Sequence, residues 1–173
     1  MSKKLKRSKN YIPWVITGII IIVVVVLSAA SAKQNKNTNS AATAGEAGEL
    51  TAEELSFDFG KISMANGKVG REIKIKNNSD FEATVTRLST SCMCTTAELS
   101  YQGKRDGPFG MPGHGFIPSI KTAIKAGDEA TLKVVFDPAA HGPAGVGTIK
   151  REIYLEQEGG KRLTINFSAF VTP

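Results

Sequence analysis

From Leu55 onward an apolar residue returns at every second position, and this period restricts the fold more than any other feature of the 173 residues. Leu55, Phe57 and Phe59 alternate with Ser56 and Asp58. Val69, Ile73 and Ile75 share one parity and Lys74 and Lys76 the other. Phe81, Ala83 and Val85 alternate with Glu82, Thr84 and Thr86, and Ala130, Leu132, Val134 and Phe136 with Thr131 and Lys133. Ile149, Ile153 and Leu155 follow, and Leu163, Ile165, Phe167, Ala169 and Val171 close the chain. A side chain that returns to one face every two residues belongs to a half-buried β-strand. Turn-forming stretches separate the runs: Ala65-Asn66-Gly67, Asn77 to Asp80, Ala126-Gly127-Asp128 and Glu158-Gly159-Gly160. Six clear strands, with a seventh over Phe116 to Ile124, predict an all-β fold. The expected architecture is an immunoglobulin-like antiparallel β-sandwich of about seven strands, with a small barrel as the alternative. An antibody-type domain is not indicated: the two cysteines stand two residues apart, and the one Trp lies outside the strands.

The N-terminal quarter is different in kind. Residues 1–10 are polar and basic. Residues 11–32 open with Tyr11 and Trp14, and no charge occurs from Ile12 to Ala32. Those 21 positions would span about 30 Å as a helix, the thickness of a hydrocarbon core. The aromatic pair sits where an interfacial belt belongs, and the preceding cations place the N-terminus in the cytoplasm and the remainder outside. Two readings stay open: a retained transmembrane signal anchor, and a signal peptide cleaved near Ala32, after which the body is secreted. Residues 33–52, rich in Asn, Ala, Thr, Ser and Gly, read as a flexible linker, and residues 53–173 as the folded domain.

Charge narrows the functional classes. The formal net charge is +6, but five of the cations stand in the first ten residues, which hold no acid, and the rest is near neutral. No basic face is implied, so nucleic acid is not an expected partner. The chain lacks G-x-S-x-G, H-E-x-x-H, a Walker loop and a dinucleotide fingerprint. With two histidines and two cysteines it offers little for acid–base chemistry, and a non-enzymatic role is expected.

Several stretches carry a resemblance when taken in order. They are Phe57-Asp58-Phe59-Gly60, Ile75-Lys76-Asn77-Asn78-Ser79, Thr90-Ser91-Cys92-Met93-Cys94-Thr95, and Ile124 to Asp128 leading into Leu132 to Asp137. Over residues 55–171 this set resembles the bacterial domain of unknown function 1573, a family similar to the immunoglobulin-like domains of Hydin, ASH and major sperm protein. The family usually has Gly between the two cysteines, where this chain has Met93, and the segment 99–121 is longer than its usual connection. The resemblance implies an exported, non-enzymatic sandwich.

Chemistry concentrates in three places. Cys92-Met93-Cys94, placed on an extended strand, points both thiols to one side, at a separation awkward for a mutual disulfide. Packing at a strand end, soft-metal binding and thiol redox chemistry all remain open for it. A Gly/Pro-rich insertion, Gly107 to Pro118, carries Met111 and His114. A second such loop, Asp137 to Gly147, carries His141. In an up-and-down strand count these connections emerge at one pole, so Cys92, Cys94, Met111, His114 and His141 are the candidate metal ligands. Thiolate, thioether and imidazole together suit copper as Cu(I), and zinc less well. Each His reads equally as a loop side chain bonded to backbone. The leading expectation is a membrane-anchored extracytoplasmic interaction module with a protein partner in the cell envelope. A copper- or zinc-binding domain and a thiol redox protein are the alternatives.

Overall fold

The computed structural model describes residues 48–173. The basic terminus and the apolar run over 11–32 lie outside the described residues, as does the linker up to residue 47. Among the described residues no helix is long and apolar enough to cross a membrane.

The body is all-β. Its strands are β1 (Leu50–Ala52), β2 (Ser56–Ser63), β3 (Val69–Asn77), β4 (Ala83–Thr90), β5 (Thr95–Tyr101), β6 (Lys104–Phe109), β7 (Thr122–Ile124), β8 (Glu129–Phe136), β9 (Gly147–Gln157) and β10 (Arg162–Thr172). They form two five-stranded sheets, ordered β1-β3-β8-β5-β6 and β2-β10-β9-β4-β7. The helical pieces among these residues are short 3₁₀ turns.

The sandwich differs from the expected one in four respects. It has ten strands rather than about seven. It is not wholly antiparallel, because β10 pairs with β2 in parallel, Phe167 opposite Phe57. The predicted strand over Phe116 to Ile124 shrinks to Thr122–Ile124; the preceding loop lies against β4 instead, with the Ile120 N–H donating to the Thr86 carbonyl. Leu50–Ala52, read as linker, is an edge strand whose Leu50 is buried.

Along β8 and β10 the alternation does what it predicts, whereas Leu55 and Phe81, read on the inward parity, are exposed, and β4 buries residues of both parities. Along β10, Leu163, Ile165, Phe167, Ala169 and Val171 are buried, and along β8 so are Ala130, Leu132, Val134 and Phe136. The two inward faces share one core, as two half-apolar sheets must if neither face is to stay wet. At the turn after β3, Asn77 is structural: it is fully buried, and its amide donates to the carbonyls of Phe81 and Ile124. Phe57, Phe59, Phe136 and Phe167 form a connected aromatic group with centroids 5.1–6.3 Å apart.

Phe167 joins three of these rings and touches both sheets' cores. Phe167→Ala is expected to destabilise the chain by about 3–5 kcal/mol, read as a lowered denaturant midpoint at unchanged slope. A loss under about 1 kcal/mol would contradict the central packing role assigned to this ring.

Candidate functional site

The site is built where the chain changes sheets. β4 ends at Thr90 in one layer and β5 begins at Thr95 in the other, so Ser91–Cys94 make the crossing. The Thr95 N–H donates to the Cys92 carbonyl at 3.1 Å, which closes a turn over Cys92–Thr95. The buried Thr90 hydroxyl lies 3.0 Å from the Cys92 carbonyl oxygen and 2.9 Å from that of Thr95. Outside the turn, the Ser91 N–H donates to the Glu152 carbonyl and the Glu152 N–H to the Ser91 hydroxyl, each at 2.9 Å. The Cys94 carbonyl accepts from the Asp137 N–H at 2.8 Å, where β8 ends.

From Asp137 the chain enters the second Gly/Pro loop. The Asp137 carboxylate accepts the Ala139 N–H, and a 3₁₀ turn over Gly142–Gly145 follows with His141 at its N-cap. Gly145 sits at a close approach. A Cβ there would sit 3.3 Å from His141 Cβ and 3.4 Å from Met64 Cε, so loop, imidazole and thioether are packed together.

These segments bring three ligand atoms within 4.8 Å of one another: the thiols of Cys92 and Cys94 and a ring nitrogen of His141. The Cys94 thiol donates to Cys92 Sγ at 2.7 Å, and His141 Nε2 lies 3.0 Å from Cys92 Sγ. Both cysteines are free and buried, whereas His141 is exposed. The tripeptide is therefore not the extended strand that the sequence implied. The turn folds the two sulfurs together, and the objection to contact between them disappears.

A fourth residue escaped the sequence. Arg151 Nε donates to Cys94 Sγ at 3.3 Å. On β9 it shares parity with the buried Ile149, Ile153 and Leu155, so its side chain enters the mouth of the core. A charged residue on the inward parity of an apolar run was the available signal. Such a position rarely holds a cation without an anionic partner.

The environment divides the two thiols. Burial pushes Cys92 up, but hydrogen bonds from the Cys94 thiol and backbone N–H, the His141 contact and the Arg151 charge outweigh it, and the pKa falls to about 7. Cys94 moves the other way: burial and the adjacent Cys92 raise it, against weaker opposition from Arg151 and Thr95. Cys92 is thus the thiolate near neutrality and Cys94 its hydrogen-bond donor. Cys92 and His141 border an open groove of about 1090 Å³ whose walls include Phe57, Asp58, Lys150, Arg151 and Glu152.

Of the five ligands predicted, the structure gathers Cys92, Cys94 and His141. Residues 95–101 do form the crossing strand that the strand count omitted, but β6 returns antiparallel beside it. The insertion therefore still starts at this pole, with the Gly110 carbonyl accepting from the Thr90 N–H. Met111 follows, half-buried. His114 is exposed, turns back through its own N–H to the Met111 carbonyl, and is not among the three converging groups.

Fold and site together define an all-β sandwich with a dithiol–imidazole cluster at one pole. Residues 50–107, which include both cysteines, match the family described as "Protein of unknown function (DUF1573)". No curated protein matches the chain. Among solved structures, a protein of unknown function from Porphyromonas gingivalis W83 is similar at 18% identity and TM-score 0.55, covering 77% of this chain and 51% of that one. The chain thus spans about half the length of that relative. PapD-like domain 7 of human CEP192 aligns at 11% identity and TM-score 0.46, over 80% of this chain and 95% of that one. The YadV chaperone aligns at 11% identity and TM-score 0.46, over 72% and 52%. At 18% identity the first of these likenesses speaks for the fold alone, and the other two carry no weight.

In the reduced, metal-free chain, alkylation of Cys92 is expected to rise with pH through a midpoint near 7, because the thiolate is the nucleophile. His141→Ala removes one stabilising contact and should move that midpoint toward 9, the unperturbed value. Peptide mass spectrometry resolves the two thiols. A wild-type midpoint near 9 would contradict the electrostatic account.

Proposed function

We propose that this chain is a membrane-tethered, extracytoplasmic, non-enzymatic sandwich that binds one soft metal ion, copper or zinc, through Cys92, Cys94 and His141. The observation that carries the reading is the convergence of two sulfurs and one imidazole within 4.8 Å at the sheet crossing. Thiolate and imidazole are the donors that soft and borderline ions prefer. The partial deprotonation of Cys92 near neutrality favours loading, since a metal must otherwise displace a proton. An ion about 2.3 Å from each sulfur would hold them about 3.7–4.0 Å apart, so binding opens the Cys pair by roughly 1 Å. The tether is proposed from the uncharged run Ile12 to Ala32.

The test is titration of the purified, reduced chain with Cu(I) and with Zn(II). One ion per chain is expected, bound tighter than micromolar. Cys92→Ser with Cys94→Ser should abolish binding, and His141→Ala should weaken it by at least tenfold. No binding tighter than micromolar for either ion would end the proposal.

A thiol redox role is the second reading, favoured by the 2.7 Å approach of the two sulfurs. With a low-molecular-weight disulfide as oxidant, the Cys92 thiolate attacks one sulfur and releases a thiol. Cys94 then attacks Cys92 Sγ in the mixed disulfide and releases the second thiol, leaving the protein pair oxidised. Exposure of the metal-free chain to oxidised glutathione should remove two hydrogens from its mass, and Cys94→Ser should stop at an adduct on Cys92. Unreacted thiols after hours would rule this role out.

A further inference from the structure

We propose that Arg151 makes the site selective for a singly charged soft cation, Cu(I), over Zn(II). The inference rests on the metal-binding reading above and names its ion. Two thiolates and a neutral imidazole carry two negative charges. Arg151 is the cation that reaches a sulfur of this cluster, with Nε 3.3 Å from Cys94 Sγ, and its position on the inward parity of β9 keeps it at the mouth of the core. With Cu(I) bound, ion, thiolates and guanidinium sum to zero; with Zn(II) they sum to one positive charge. An uncompensated charge costs more at a half-buried site than in open water, though less than in a dry interior.

The other charges in the groove do not change this balance. Asp58 is engaged by the Gly60 N–H and the Ser168 hydroxyl, and Glu152 by the Tyr154 hydroxyl. Lys150 is exposed on the opposite parity of β9 to Arg151. Asp58 and Lys150 face solvent, where screening is strong, and the half-buried Glu152 lies, like Lys150, on the parity of β9 opposite to Arg151. Coordination number points the same way. Three protein donors can complete a Cu(I) site, whereas zinc there would have to take its fourth ligand from water. One unit charge about 5 Å from the ion, at an effective dielectric of about 20, shifts an equilibrium by about two orders of magnitude, and partial exposure reduces this to about tenfold or somewhat more.

The experiment measures Cu(I) and Zn(II) affinities of the full-length chain by competition with a chromogenic chelator for each ion, under anaerobic reducing conditions. Arg151→Gln should lower the ratio of Cu(I) to Zn(II) affinity by at least tenfold, whereas Arg151→Lys, which keeps the charge, should hold it within about threefold. Arg151→Met, which keeps an unbranched stem in the core mouth, repeats the measurement if the Gln variant does not fold. An unchanged ratio in the neutral variants, or an equal loss for both ions, overturns the selectivity proposal and leaves metal binding intact. Wild-type chain that binds neither ion overturns the metal reading itself, and this one with it.

Discussion

Everything at the active pole depends on one crossing: the chain must leave one sheet at Thr90 and enter the other at Thr95. Facing sheets lie about 10 Å apart, so four residues have little slack. Backbone groups passing the edge of an apolar core cannot be left without partners. The Thr90 hydroxyl lies within hydrogen-bond reach of two of the carbonyls involved, and the Thr95 N–H closes the turn. That solution dictates where the side chains go. Cys92 and Cys94 point into the gap between the layers, while Met93 between them is exposed. The thiol pair is a consequence of how the crossing is braced.

The cysteines and Arg151 account for one another. An arginine on the inward parity of β9, between Ile149 and Ile153, would be a liability in an ordinary sandwich, because a half-buried guanidinium without an anion loses hydration and gains nothing. A buried thiol, for its part, resists ionisation. With its Nε 3.3 Å from Cys94 Sγ, the cation lowers the cost of the neighbouring Cys92 thiolate, and that thiolate lowers the cost of the cation. His141 contributes from outside. Its loop is anchored by the Asp137–Cys94 backbone bond and by packing at Gly145, so the imidazole reaches Cys92 while its ring remains exposed. The result is an asymmetric site with two sulfurs fixed by the sheets and one nitrogen facing water.

Much of the sandwich was legible because its long strands alternate cleanly; β8 and β10 could be traced residue by residue. The hairpin of β5 and β6 was not. In Thr95–Tyr101 the inward residues are Thr95, Ala97 and Leu99, which contribute little hydrophobic contrast, and Lys104–Phe109 contains the Gly-Pro pair that ordinarily marks a loop. The parallel pairing of β2 with β10 joins residues 110 apart in sequence, and nothing local encodes it. Of the site, Cys92, Cys94 and His141 were legible from residue type and strand parity. Arg151 was passed over because the eye follows the apolar members of β9, although its charge on their parity was the informative feature. The contact between the sulfurs was hidden because the two cysteines were assigned to a strand, whereas a hydrogen bond from Thr95 makes them a turn.

Under the metal-binding proposal, the character of the cluster argues against a purely structural ion. Closed structural sites surround the ion with four protein donors, and small domains use them where the apolar core is insufficient. Here the apolar core runs from Leu50 to Val171 and draws on both sheets, so burial of apolar surface is available to hold the sandwich together. The cluster offers three close donors and a side open to the groove. An ion held there keeps a route in and out, through the face that His141 shares with solvent. The buried sulfurs supply affinity, while the exposed imidazole can release first. That division of labour suits temporary custody of a reactive cation better than permanent reinforcement of a β-sandwich.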